Sequence, residues 1–356
     1  MAATATISAF VFMMLIPYGA TNAAPRPLVG AIRWDAWVGD YNPSGVPGGI
    51  IGLPVEKSLG PHQFHDRIPF FGKETGPDSV EARELTQDVM DKEIHYACDG
   101  GIDYWAFDWY NDGSGLALAR HLYMSSSIKS LVKFCFVLQN TLPRASFPRL
   151  IGTFFKDPDY LKVLGDRPVV YLFCDNYTPE DLGVLRDQTR ATGLGNPYIV
   201  DCATGSKAPP ANFHYDAVSH YVTGATMGQP FKAGAPFADV MRNSQDRWNN
   251  DKTFGLDVVP NVTAGADVRP RIITPIPWAR YYPDNWSQEP TPDEVGAHVK
   301  QAFDWIDGNP TVDPARLVLI YAWNEFDEGG YICPTLMHGS DRLDAIRKVV
   351  DAYGKK

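Results

Sequence analysis

"LVLIYAWNEFDEGGYICPT", residues 317–335, is the stretch on which the fold turns. Leu317 to Ala322 is continuously apolar, and then the chain breaks into Trp323, Asn324, Glu325, Phe326, Asp327, Glu328 and two glycines. A strand that is apolar at every position, with no alternation, is buried on both faces, as in a parallel sheet covered by helices. Carboxylates at the end of such a strand are costly unless they have partners or a task.

The same pattern repeats along the chain. "LVGAIRW" (28–34), "IDYWAFDW" (102–109), "VKFCFVLQN" (132–140), "PVVYLFC" (168–174), "PYIVDCA" (197–203), "AVSHYV" (217–222) and "LDVVPNVT" (256–263) read as seven strands before the eighth, 317–323. Between them lie helical segments at 79–100, 116–126, 147–156, 178–193, 236–251, 291–309 and 342–354, with Ser79, Thr178 and Thr291 as expected N-caps and proline at the first position of two. Residues 35–78 form a long Gly/Pro-rich connection. Eight alternating units predict an α/β fold, a (β/α)8 TIM barrel, as a single domain with a long loop after the first strand. An open doubly wound sheet is the rival, but no Gly-rich phosphate loop follows the first strand.

The bulk numbers agree with one soluble catalytic-size domain. The chain has 356 residues, 44% hydrophobic and 21% charged, with a net charge of −10. That acidity argues against nucleic acid and anionic membrane as partners. Residues 1–23 read as a secretory signal peptide, with a short apolar run from Ala9 to Pro17 and small residues to Ala23, although its start lacks Lys and Arg. The mature part, 24–356, is then expected outside the cytoplasm. Five cysteines, an odd number without metal-type spacing, read as buried thiols. No cofactor, metal or obligate protein partner is expected.

In a barrel of this kind the active site lies at the C-terminal ends of the strands. Those ends carry Trp34 and Asp35; Asp108, Trp109 and Tyr110; Gln139 with Asn140; Asp175; Asp201; His220 and Tyr221; Asn261; and Asn324 with Glu325 and Glu328. Amides, carboxylates and aromatic rings with little lysine suit a neutral, hydroxyl-rich ligand, a carbohydrate. Asp175 and Asp201 read equally as caps of the turns that follow, and His220 equally as a structural histidine. Glu325 and Glu328, in a tight loop that Gly329 and Gly330 let turn, can share the work of glycosidic cleavage, one protonated and one ionised. The same two glutamates read equally as solvent-facing loop acids or as partners of Arg33 or Arg271, and Asp327 is expected to point outward.

At this motif the chain resembles glycoside hydrolase family 99 and its relatives, family 71 among them. "WNEFDEG" corresponds to that group's N-E-W-x-E-G, "GIDYWAFDWY" (101–110) to its second-strand segment and "NVTAGADVRPR" (261–271) to its seventh-strand turn. Order and spacing suit roughly residues 28–350. The resemblance implies a (β/α)8 glycosidase acting on α-linked glycans with retention, through a 1,2-anhydro sugar. Glu328 then matches the general acid/base, and Glu325 the carboxylate that draws the proton from the sugar 2-hydroxyl. Phe326 stands where the family has Trp, and the first loop is not the family's usual opening, so the α-mannoside or α-glucoside identity of the substrate stays open.

Other readings of the same residues are a glycosidase with Asp108 as covalent nucleophile, a metal-dependent hydrolase on Asp35, Asp108, Asp201 and His220, a non-catalytic carbohydrate-binding barrel, and a glycosyltransferase. The loop "PWARYYPDNWSQEP" (277–290) offers Trp278, Tyr281, Tyr282 and Trp286 as a sugar platform or as edge packing. Of three glycosylation sequons, Asn285 is the one expected to lie clear of the site.

Overall fold

The computed structural model describes residues 24–46, 48–139, 142–173, 176–203, 205, 207–223 and 231–353. Residues 1–23, expected to be a signal peptide, and Asn140, Cys174 and Asp175 lie outside the described residues.

Eight strands form the barrel. They are Leu28–Arg33, Tyr104–Asp108, Lys133–Leu138, Arg167–Leu172, Tyr198–Asp201, Ala217–Val218, a seventh in two pieces (Asp257–Val258 and Asn261–Thr263), and Leu317–Tyr321. Each pairs in parallel with its neighbours in chain order, from the first to the sixth, and the first also pairs with the eighth. The seventh strand closes the ring. Its first piece pairs with the sixth strand and its second piece with the eighth. Pro260 divides the two pieces because it has no N–H to give. The flanking bonds persist: Val259 N donates to Val218 O at 2.9 Å and Leu319 N to Pro260 O at 3.0 Å. The fold is therefore the predicted parallel (β/α)8 barrel.

The barrel is filled, not hollow. Tyr104 and Tyr171 meet inside it, hydroxyl to hydroxyl at 2.8 Å, and the Tyr104 hydroxyl also donates to Val318 O at 3.1 Å. Gly30 on the first strand makes room for that ring: a Cβ there would lie 2.0 Å from the Tyr104 Cζ. On the outer face of the second strand, Trp105 packs edge to face on Trp323 at 5.0 Å and on Tyr123 at 5.9 Å. An aromatic ring buried like Trp323 takes roughly 200 Å² from water, about 5 kcal/mol before entropy is counted.

Helices surround the strands: Gln87–Asp99, Leu118–Ser125, Phe147–Arg149 continuing into a π-helical turn Leu150–Phe155, Pro179–Arg190, Phe237–Asp251, Pro292–Gly308 and Asp341–Tyr353. Between the fifth and sixth strands, the described residues hold only the 3-10 turn Ala211–Phe213. Thr178 and Thr291 cap their helices as expected, each in a reciprocal box with Asp181 or Glu294. No described helix is long and apolar enough to cross a membrane.

One element departs from the sequence reading. Ser79 is not an N-cap. Ser79–Ala82 is a strand paired antiparallel with Gly72–Gly76, and the helix starts at Gln87, with Thr86 Oγ1 accepting from Val89 N at 3.3 Å. Over these four residues Val80 and Ala82 face inward while Ser79 and Glu81 do not. That is a period of two, and four residues are too few to separate it from a helical period. The long first connection also carries the helix Gly52–Ser58 and the 3-10 helix His62–Arg67. Cys135, Cys202 and Cys333 are buried free thiols, and Cys98 is a half-buried one.

Candidate active site

The strand that opens the sequence ends in a loop whose geometry Gly329 sets, with φ +74°. A 3-10 turn, Phe326–Glu328, brings Glu325, Asp327 and Glu328 onto one guanidinium, that of Arg271. Arg271 Nη2 lies 3.0 Å from Glu325 Oε2, Nε lies 2.7 Å from Asp327 Oδ2, and Nη1 meets Glu328 Oε1. Arg271 comes from the short helix Arg269–Ile273 after the seventh strand. Gly265, on the same connection, touches the loop directly, for a Cβ on it would sit 2.0 Å from Gly329 O.

The three acids differ in environment. Asp327 is fully buried, contrary to the expectation that it points outward; it holds Arg271 side-on and accepts from Ser58 Oγ at 2.8 Å. Glu325 is 4% exposed and Glu328 8%. Glu328 accepts from Tyr281 at 2.5 Å and from Tyr321, besides Arg271. Burial pushes Glu325 well above the usual carboxylate range; Arg271 opposes the rise, and Glu328, Asp327 and Asp108 add to it. Burial would lower Arg271, but Asp327, Glu328 and Glu325 more than offset it and hold it above its ordinary value.

Opposite this cluster stands Asp108. Its Oδ2 accepts from Tyr221 at 2.6 Å and from Gln139 Nε2, while Oδ1 is buried without a hydrogen-bond partner. Burial raises it well above the usual range; the Tyr221 bond opposes this and Asp35 adds to it. From Gln139 the contacts continue around the mouth. Tyr110 donates to Gln139 Oε1 and Trp34 Nε1 to the Tyr110 hydroxyl, each at 2.9 Å. Arg271 lies over the Trp34 ring at 5.2 Å. Tyr321, which donates to Glu328, packs on Tyr221 at 5.6 Å. The circuit thus closes back on Asp108. Trp278, 42% exposed, meets Trp34 edge to face at 6.0 Å and extends the rim.

Beneath the rim, Asp35 and Asn324 act through each other. Asn324 Nδ2 donates to Asp35 Oδ1 at 2.8 Å and Oδ1 accepts from Trp34 N at 3.1 Å, so the first and eighth strands are tied together. Arg33, fully buried, binds Asp35, Glu84 and Glu93 and stacks on Trp105 at 4.3 Å. Burial raises Asp35 and Glu84 above the usual range, as expected where three carboxyls share one cation.

Several expected site residues lie elsewhere. Trp109 turns toward the helical layer, packing on Phe136 at 4.8 Å and Phe154 at 5.5 Å under Arg120. His220, one residue from inward-facing Tyr221, points the other way and meets Asp251 on a surrounding helix at 2.6 Å. Asn261 is sealed in the barrel wall, its amide donating to Tyr221 O and Leu319 O. Asp201 caps its turn, accepting from Ala203 N at 2.9 Å. Asn285 is buried and accepts from Phe231 N at 2.7 Å, so it is not the open sequon it was expected to be. Asp35, Asp108, Asp201 and His220 therefore do not converge on a metal. Among the described residues, the grouping of metal-ligating atoms is His62, His65 and Glu74, in the first-strand loop.

Sequence reasoning named Arg271 only as a possible partner of the two glutamates, which it is, and left out Tyr321. Arg271 carried a signal, as the arginine downstream of the seventh strand. Tyr321 read as one more apolar strand residue.

No family model matches the chain, and no curated protein matches it in sequence. Solved structures do. The chain shares its fold with an endo-α-mannosidase. The GH99 endo-α-mannosidase from Bacteroides thetaiotaomicron superposes with a TM-score of 0.59 at 15% identity, covering 92% of this chain and 97% of that one. The same enzyme in complex with bis-tris-propane gives 0.57 at 16%, over the same shares. At such identity the likeness speaks for the fold.

Proposed function

We propose that the chain is a glycoside hydrolase acting on α-linked glycans, with Glu325 and Glu328 as its reacting carboxyls. The observation that carries this is the sharing of Arg271 by both, at the mouth of a closed barrel, inside a circuit of amide, hydroxyl and aromatic groups. The fold it has in common with an endo-α-mannosidase supports the same reading. Trp34 and Trp278 present ring faces and edges suited to sugar C–H groups. Gln139, Tyr110 and Asp108 present hydrogen-bonding atoms suited to hydroxyls. The substrate is proposed to be an α-mannoside or α-glucoside.

In the first assignment Glu328 gives a proton to the leaving oxygen and Glu325 draws one from the 2-hydroxyl. That oxygen attacks C1 from within the sugar, and water then opens the 1,2-anhydro ring, so the anomeric configuration is retained. Proton placement favours a second assignment of the same pair. Glu325 is the carboxyl that burial drives toward its acid form, while Glu328 accepts from Arg271, Tyr281 and Tyr321. Glu325 would then be the proton donor. An Asp108 nucleophile is disfavoured, because a nucleophile must be ionised and burial raises this group, with no cation paired to it among the described residues.

Proton NMR of the first-formed product tests the retaining route: the α-anomer is expected, and the β-anomer would exclude it. Activated substrates such as α-glycosyl fluorides separate the two assignments. The Gln variant of the proton donor keeps activity on them, and the variant of its partner does not. Export through residues 1–23 belongs to the same proposal, and N-terminal sequencing of exported protein checks it, with Ala24 expected first.

A further inference from the structure

His62 and His65 lie three residues apart on the 3-10 helix His62–Arg67. Three residues make one turn of such a helix, so both side chains rise from the same edge. Their rings are 5.1 Å apart. The hairpin strand Gly72–Gly76 brings Glu74 against them.

His65 is 6% exposed, and its Nε2 meets Gly60 O at 2.7 Å. A carbonyl only accepts, so Nε2 carries a proton, and in the neutral ring Nδ1 presents its lone pair. That Nδ1 is buried with no hydrogen-bond partner, and lies 3.5 Å from Glu74 Oε1. A buried nitrogen without a partner is costly unless something fills its lone pair.

We propose that His62, His65 and Glu74 form a binding site for a zinc-class divalent ion that fastens the first-strand loop to its hairpin. The ligating atoms of the three all lie within 4.8 Å of one another. Zinc bonds of about 2.0–2.1 Å in a tetrahedron put ligands about 3.3–3.4 Å apart. The His65–Glu74 separation of 3.5 Å fits that edge. The bond from His65 Nε2 to Gly60 O is the outer-shell contact that fixes a metal-binding imidazole in one tautomer. Two imidazoles and one carboxylate select zinc or a similar transition ion over magnesium and calcium. Water completes the fourth position. The clamp has a reason to exist where it does. Just before this helix, Ser58 reaches Asp327 at 2.8 Å, and at its end Arg67 holds Asp267. The loop being fastened is the one that braces Arg271 and its acids from below.

The test uses tag-free chain from residue 24, stripped with a chelator and titrated with Co²⁺ and then Zn²⁺. One equivalent of Co²⁺ should bind with visible d–d absorption, Zn²⁺ should displace it, and the melting temperature should rise with either ion. His62→Ala and Glu74→Gln, both at exposed positions, should each weaken Zn²⁺ binding at least tenfold and abolish the thermal shift while the metal-free melting temperature stays put. Absence of binding tighter than millimolar, or binding that both variants leave unchanged, would overturn the site.

Discussion

Asp327 grips Arg271 side-on, with Nε to Oδ2 at 2.7 Å and Nη2 to Oδ1 at 2.8 Å. This leaves the far edge of the guanidinium to Glu325 and Glu328. The acid expected to face solvent is the one that aims the arginine. Removing one partner of a buried pair leaves the other charge uncompensated, at a cost of about 3–5 kcal/mol. Asp327→Ala should lose that much stability in urea unfolding. Asp327→Asn, which keeps the shape, should lose less and still drop kcat at least tenfold. Wild-type kcat in Asp327→Asn would show that the aim of Arg271 does not matter.

The raised Glu325 carboxyl has a stability consequence whose sign is fixed. The folded state holds this proton more tightly than the unfolded state. Its penalty is therefore absent below the ordinary carboxylate range and grows as pH rises from there toward the folded value. Each unit of elevation is worth about 1.4 kcal/mol. Glu325→Gln should therefore melt higher than wild type at pH 7–8, with the gap closing toward pH 4. A variant that melts lower than wild type at pH 8 would contradict the raised carboxyl.

His298 works in the opposite direction. It is buried beside Trp248, with Nδ1 on Thr263 O at 3.2 Å, and burial lowers it to about 4. The unfolded chain takes up this proton near pH 6.5 and the folded chain does not, so its stabilising contribution is whole above 6.5 and is lost as pH falls toward 4. Over that window the loss is about 3 kcal/mol. His298→Gln, whose amide still donates to the carbonyl, should flatten the fall in melting temperature between pH 6.5 and 4. An unchanged slope would remove His298 from acid unfolding.

Gly265 and Gly329 O are in such close approach that a methyl group cannot fit between them. Overpacking of this kind costs about 1–3 kcal/mol. Gly265→Ala should fold, lose that stability and lose most activity, because the displaced loop carries Glu325 and Glu328 away from Arg271. Full activity would mean the loop's position is not critical.

The barrel was legible because its strands are apolar at every position and end in polar groups, a signal that survives without any knowledge of loops. The Thr-Pro helix starts were legible for an equally local reason: each cap needs only four residues. What escaped depended on direction. Tyr221 and His220 are adjacent, yet one faces Asp108 and the other Asp251, since neighbours on a strand point opposite ways. The polar run at a strand end does not say which is which. Trp109 and Asn261 failed for the same reason. Asp327 escaped because its partner, Arg271, is distant in sequence and reaches it only through the barrel's closure. The His62–His65–Glu74 grouping escaped because it needs the hairpin at 72–82, which the sequence reading had partly assigned to a helix.

Glu325 and Glu328 are proposed to cleave an α-glycosidic bond together. Reducing-end release from a panel of α-linked oligosaccharides, measured beside Glu325→Gln and Glu328→Gln, tests it most directly. The wild-type chain should hydrolyse at least one α-mannoside or α-glucoside of the panel, and each single variant should lose on the order of 10²–10⁴ in rate. Hydrolysis that persists at wild-type rate in both variants would exclude the pair as the reacting carboxyls.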